Sequence, residues 1–149
     1  MSELKSLTLA IELATRKRDE ADQALMQARR AVQQAQGQLD QLQGYAAETE
    51  SRWATANART VSAGLMQHQQ HFMQRLRYAI GLQEGVMGDL QRQAEAARQR
   101  RVQEELRLAA LQQLLKKRLA LQARAEARRE QKQMDELAVL QYARRAAVE

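Results

Sequence analysis

The sequence has 149 residues, a formal net charge of +6, and neither proline nor cysteine. The lack of cysteine leaves no disulfide framework and no cysteine-based metal site, which is compatible with a reducing compartment. Apolar residues make up 44% of the chain and aromatic residues only 3%. Alanine, glutamine, arginine, leucine and glutamate dominate, as is typical of long helices and coiled coils. A globular α/β core would need more valine, isoleucine and phenylalanine.

No apolar run approaches the roughly 18 residues of a membrane span. The first residues also lack the basic-then-apolar pattern of a secretory signal. We therefore expect a soluble, cytosolic, all-helical protein.

The first half of the chain carries a sustained seven-residue repeat. Alternating steps of three and four residues reach fifteen positions, thirteen of them apolar: Leu4, Leu7, Ile11, Ala14, Arg18, Ala21, Leu25, Ala28, Val32, Ala35, Leu39, Leu42, Ala46, Thr49 and Trp53. This spacing predicts a coiled-coil seam, because 3.5 residues per repeat keep one stripe facing a partner helix. We predict a first helix over about residues 3–56 that packs against a single partner.

The repeat ends in "ATANARTVSAG" (54–64), whose Asn, Thr, Ser and Gly residues predict a turn at about 57–62, with Ser62 as a helix N-cap. A second seam then follows: Met73, Leu76, Ile80, Gln83, Met87, Leu90, Ala94 and Ala97. We predict a second helix over about 63–146 and an antiparallel two-helix coiled coil forming one domain over 1–149. A turn near residue 59 would place Leu4 level with about residue 114. The second helix would then overhang the first from about residue 115.

Basic charge is concentrated at this predicted overhang. Residues 98–149 hold thirteen basic and seven acidic side chains and supply the whole net charge. One interpretation is a solvated face with ordinary ion pairs, such as Glu126 with Arg129. The other is a segment that docks into an acidic channel or onto an RNA or an anionic membrane.

No catalytic pattern is present. "GLQEGVMG" (81–88) lacks the Lys-Ser/Thr ending of a phosphate-binding loop, so its glycines predict close packing or a bend, opposite Gly37 and Gly44. His68 and His71 could supply half a metal site, but no suitably spaced carboxylate lies nearby. We expect no enzyme activity, no metal site and no cofactor.

One set of residues predicts an apolar strip beside the seam. Gln38, Leu42 and Tyr45 have the same spacing as Phe72, Leu76 and Ala79, and an antiparallel pair brings the two trios level. The strip either packs internally around the turn or binds a partner.

Three segments resemble the flagellar export protein FliJ family. They are "ARRAVQQAQGQL" (28–39) followed by Tyr45, "QHFMQRLRYAI" (70–80) and "EQKQMDELA" (130–138). The likeness extends over the whole chain, and the last segment is the most specific of the three.

This resemblance implies a two-helix antiparallel coiled coil like the central stalk subunit of rotary ATPases. It implies that the end carrying both termini enters the hexameric export ATPase FliI, with its regulator FliH, and promotes ring assembly. The residues at this contact would be Arg124, Arg128, Gln131, Lys132, Met134, Asp135 and Glu136. The chain would act as a cytoplasmic monomer, peripheral to the inner membrane through the export apparatus.

The resemblance also implies binding to the export gate protein FlhA through Gln38, Leu42, Tyr45, Phe72, Leu76 and Ala79, and binding to export chaperones. Thr49 and Gln83 stand where the family extends the gate patch. The alternatives are a basic helical nucleic-acid-binding protein, such as one that binds RNA, and a generic coiled-coil scaffold. The resemblance predicts neither nucleic-acid binding nor membrane insertion.

Overall fold

The computed structural model describes residues 2–56 and 62–148, and these residues form two α-helices and no strand. Helix α1 is Ser2–Ala56 and helix α2 is Ala63–Val148. The two helices pack against each other in antiparallel directions, which confirms the predicted fold class. The expected turn falls largely on residues 57–61, which lie outside the described ranges.

The long helices follow from the absence of proline and from local capping. Ser62 caps α2 because its hydroxyl accepts a hydrogen bond from the backbone N–H of Leu65 at 3.3 Å. The Ser62 carbonyl accepts the next bond, from the N–H of Met66 at 3.2 Å. These contacts satisfy backbone donors that a helix start leaves unpaired, as predicted for this serine.

The chain divides into two compact units. Unit 1 comprises residues 1–17 and 104–149, and unit 2 comprises residues 18–103. In unit 2, Asp22 pairs with Arg101 and Glu50 pairs with Arg77, so the two helices run in opposite directions. In unit 1, Glu3 pairs with Arg118.

The core is narrow and follows the predicted seam. All fifteen seam positions on α1 and all eight on α2 are buried or half-buried, which confirms the sequence pattern. Ala35, Leu39 and Met87 form the central cluster of unit 2. Val32, Ile80 and Leu90 pack against this cluster as half-buried neighbours. Small and medium side chains on one stripe can cover only one partner helix, so this fold has a seam rather than a globular core.

The α2 seam continues through charged residues. Two further steps beyond Ala97 reach Arg101 and Glu104, and both residues are half-buried. Arg101 Nε lies 2.7 Å from Asp22 Oδ1. The sequence pattern was ended at this charged stretch, although single polar residues had been accepted within it at Arg18, Thr49 and Gln83. Continuing the same spacing would have identified both positions.

Contacts between the helices of unit 2 give their register. The Gln83 side-chain amide donates to the Ala35 carbonyl and Tyr45 meets Phe72, and both pairs lie within one position of those that a turn centred on residue 59 brings level. Farther from the turn, the long side chain of Arg101 reaches Asp22, whereas the same turn would bring Asp22 level with residue 96. Polar residues in the sequence locate a turn only within a few positions. The interlocking of side chains across the seam determines the register.

The expected close packing of the glycines is wrong. A Cβ atom added at Gly81 or Gly85 would meet nothing within 4 Å, and the same holds at Gly37 and Gly44. At Gly88 the only neighbouring group is the Arg92 side chain, at 3.6 Å. These glycines therefore provide no close contact between the helices.

Candidate interaction surfaces

The predicted gate patch lies partly in the seam and partly on the surface of unit 2. Tyr45 and Phe72 meet edge to face with ring centroids 6.0 Å apart, a favourable geometry for aromatic pairs. Leu76 is 8% exposed and belongs to the core, whereas Tyr45 is 53% exposed. Leu42, Phe72 and Ala79 are half-buried, and Gln38 is exposed. Internal packing therefore accounts for Leu76, whereas Tyr45 and Gln38 remain exposed.

The margin of this patch is polar and internally hydrogen-bonded. The Gln83 side-chain amide donates to the Ala35 carbonyl at 3.0 Å and to Gln38 Oε1 at 3.1 Å. The Thr49 hydroxyl donates to the Tyr45 carbonyl at 2.7 Å, which is the usual i−4 bond of a helical threonine. Gln83 thus fixes Gln38 across the helix pair.

The patch lies on the uncharged side of unit 2. Between residues 24 and 45 on α1 and between 65 and 86 on α2, eight residues at seven-residue intervals border the seam on this side, and none is charged: Ala24, Ala31, Gln38, Tyr45, Leu65, Phe72, Ala79 and Val86. The same spacing continues to Arg52 and Arg100, which are charged and exposed. The equivalent eight residues on the other side include five charged ones: Asp22, Arg29, Gln36, Gln43, Glu50, Gln70, Arg77 and Glu84. An ion pair of 3.1 Å between Glu50 and Arg77 joins the helices on that charged side.

Sequence reasoning missed four members of the uncharged side. Ala24, Leu65 and Val86 are exposed, and Ala31 is half-buried. Leu65 stands seven residues from Phe72, Val86 seven from Ala79, and Ala31 and Ala24 seven and fourteen from Gln38. Seven-residue spacing was therefore the signal that could have identified them. We call the eight uncharged residues together with Leu42 and Leu76 the uncharged side.

The second candidate surface is the end of α2 within unit 1. Every described side chain from Glu126 to Val148 is exposed, and the helix is unbroken over this range. We call residues 116–148 the α2 end segment. Four of the predicted ring-binding residues share one face by their i, i+4, i+7, i+11 spacing: Arg124, Arg128, Gln131 and Asp135. The Gln131 amide donates to Asp135 Oδ1 at 3.1 Å.

The other three predicted ring-binding residues stand to either side of that face. Lys132 and Glu136 follow at one edge, and Met134 lies about 100° away at the other, since each residue turns a helix by about 100°. Lys132, Asp135 and Glu136 line a shallow concavity with Val139 and Leu140. A single flat partner could therefore contact the charged residues or Met134, but not all seven together.

Arg118 pairs with Glu3 of α1, but four cations further along the α2 end segment have no neighbouring carboxylate as a partner. Arg124, Arg128, Arg129 and Lys132 form no ion pair with another described residue, and the expected pair between Glu126 and Arg129 is absent. Their positive charge is available to an outside partner.

Neither a metal site nor a membrane-spanning helix is found within the described residues. No group of three or more His, Asp or Glu side chains there could hold a metal ion, and neither helix has a stretch apolar enough to cross a bilayer. His68 and His71 are both exposed.

The seam and the opposite directions of α1 and α2 define an antiparallel two-helix coiled-coil protein. The family model for the flagellar FliJ protein matches residues 3–147. The chain therefore belongs to the FliJ family, a non-catalytic component of the flagellar protein export apparatus. No curated protein and no solved structure is significantly similar to the chain.

Proposed function

We propose that this protein is the central-stalk and coupling component of the flagellar export apparatus. In this role the α2 end segment enters the hexameric export ATPase FliI and promotes its assembly, in the presence of the regulator FliH. The whole chain works as a single coiled-coil domain and as a monomer. The observation that carries the proposal is the fully exposed, unbroken helix from Glu126 to Val148 in a chain of the FliJ family.

The proposed mechanism is a shift of an assembly equilibrium. The end segment favours the closed ring if it binds the ring more tightly than it binds free subunits. Each tenfold difference in affinity contributes about 1.4 kcal/mol to assembly. The protein performs no chemistry itself. It raises the rate of ATP hydrolysis only by increasing the fraction of FliI that is assembled into hexamers.

The uncharged side is the proposed contact for the export gate protein FlhA. Tyr45 and Phe72 form its aromatic centre, and apolar side chains without charged neighbours are desolvated at low cost. The gate contact lies in unit 2 and the ATPase contact in unit 1, so one chain can engage both partners. Export chaperones are further proposed partners, without assigned residues. These contacts would hold the chain at the cytoplasmic face of the inner membrane.

The test is ATP hydrolysis by purified FliI with and without the full chain, across a range of FliI concentrations. We expect stimulation at low FliI concentration, where assembly limits the rate, and little stimulation where the ring is already complete. Sedimentation of the same samples should show more hexamer when the chain is present. Unchanged hydrolysis and an unchanged hexamer population would contradict the proposal.

RNA binding is the second candidate, because Arg124, Arg128, Arg129 and Lys132 carry unneutralised charge. It predicts an affinity for RNA that falls steeply with salt. The end segment has one aromatic residue, Tyr142, so it offers no row of rings on which bases could stack. We therefore favour the protein partner.

A further inference from the structure

The α2 end segment changes chemistry along a single face. Each residue turns an α-helix by about 100°. We call the residues whose direction around the helix axis lies within about 80° of that of Lys132 the Lys132 face. Six cations lie on this face: Lys117, Arg118, Arg124, Arg128, Arg129 and Lys132. Of these, Arg118 already pairs with Glu3 of α1, which leaves five for an outside partner. The two acidic residues of the same stretch, Glu126 and Glu130, both lie outside it. The first section of the Lys132 face is therefore strongly basic.

The second section of the same face is apolar. Beyond Asp135 and Glu136 it presents Val139, Leu140, Tyr142, Ala143, Ala146 and Ala147. Val139 is 67% exposed and Leu140 is 60% exposed. The cations of this stretch, Arg144 and Arg145, lie on the reverse face. The Lys132 face is therefore basic near its start and apolar near its end, and the reverse face has the cations beside the apolar section.

We infer that the Lys132 face fits a partner channel with an acidic wall followed by an apolar collar. This inference rests on the proposed function and specifies the chemistry of the ATPase hole. The basic section spans about 22 Å and the apolar section about 12 Å, at 1.5 Å per residue. The surplus of cations in the basic section favours a channel wall with acidic side chains. The apolar section favours an apolar wall, because charged side chains of the channel would lose water there without gaining an ion pair.

The two sections have different kinetic roles. Exposed cations act at a distance and accelerate association, an effect that added salt screens. Apolar contacts act only after docking and slow dissociation, with little dependence on salt. The face therefore predicts fast, salt-sensitive capture followed by salt-insensitive retention.

The experiment measures association and dissociation of the full chain with FliI hexamers assembled on a non-hydrolysable ATP analogue. The chain contains no native cysteine, and a Cβ at Gly37 meets nothing within 4 Å, so Gly37→Cys provides a fluorescent label far from the α2 end segment in sequence. Binding is followed between 50 and 400 mM NaCl. Circular dichroism verifies that each variant keeps its helicity.

Arg124→Gln, Arg128→Gln and Lys132→Gln are combined to neutralise the basic section. We expect association to slow by about tenfold at low salt and its salt dependence to flatten, while dissociation changes little. The matched control removes three cations from the reverse face, Lys116→Gln, Arg144→Gln and Arg145→Gln, and should alter association much less.

Val139→Ser with Leu140→Ser disrupts the apolar section. We expect dissociation to accelerate by about tenfold or more with an unchanged salt slope. The matched control, Leu119→Ser with Leu137→Ser, removes two leucines from the reverse face and should keep the original dissociation rate.

The outcomes separate the inference from the function on which it rests. If the unmodified chain fails to bind the hexamer, the proposed function is wrong. If it binds, but the Lys132-face variants behave like their reverse-face controls, the two-section channel is wrong. A 20-nucleotide RNA that binds more tightly than the hexamer and loses affinity in the basic-section variant would also overturn the inference.

Discussion

Arg101 and Asp22 form a 2.7 Å ion pair between α2 and α1, at a seam position where the repeat calls for an apolar residue. Both side chains are about 40% exposed, at 38% and 40%. A half-exposed ion pair adds little net stability, but a polar seam residue can select one register.

Replacing Arg101 with leucine should therefore leave stability within about 1 kcal/mol while loosening the register. Spin labels at Gly37→Cys and Gly85→Cys report the register, since a Cβ at either position meets no atom within 4 Å. In the chain with Arg101 we expect one narrow distribution of the distance between the two labels. In the leucine variant we expect a second population, because a slip of one helix by seven residues moves its label by about 10 Å. A single narrow distribution in both chains would show that Arg101 does not select the register.

Leu39→Ala should destabilise the protein by about 2–4 kcal/mol, because Leu39 is 7% exposed in the central cluster with Ala35 and Met87. The matched control is Leu82→Ala, which removes the same atoms from a side chain that is 56% exposed and should cost less than about 0.5 kcal/mol. Urea unfolding followed by circular dichroism measures both. Equal costs would mean that the seam does not hold the helices together.

Tyr45→Ala with Phe72→Ala should weaken binding to the FlhA cytoplasmic domain by about 2 kcal/mol or more, since aromatic anchors dominate such contacts. The control is Tyr78→Ala, which removes a tyrosine that is 70% exposed on α2 and does not belong to the uncharged side. It should leave the affinity for FlhA unchanged. Calorimetric titration gives the affinities, and helicity is checked in parallel. A loss of helicity in the double variant would assign the pair to internal packing instead.

Gly81→Ala with Gly85→Ala should raise the free energy of unfolding by about 0.5–1 kcal/mol per site. Alanine restricts the unfolded chain and favours the helix, and its Cβ would meet nothing within 4 Å at either position. Gly64→Ala in the first turn of α2 should stabilise less, because helix propensity matters least at a terminus. Thermal unfolding compares the three chains. A lower Tm for the double variant would indicate that the glycines meet a partner or provide a bend.

The gate surface shows how far sequence reasoning reached. The spacing of Tyr45 and Phe72 predicted that both would stand beside the seam, and in the structure their rings touch. Extending the same spacing by seven residues would also have reached Leu65 and Val86, but each residue by itself is an ordinary exposed side chain. Only the comparison of the two sides shows that one lacks charge from Ala24 to Tyr45 on α1 and from Leu65 to Val86 on α2.

By itself, the sequence determined that two helices would form and that they would pair along one seam. Helix propensity and the seven-residue repeat depend on residues that are close in sequence. Both can therefore be recognised between Leu4 and Ala97 without knowledge of how the helices pack. The tertiary structure decided the register, which set Asp22 against Arg101 and Gln38 against Gln83. Register depends on side chains that interlock across more than forty positions of sequence, and a repeat allows several such matches of similar energy.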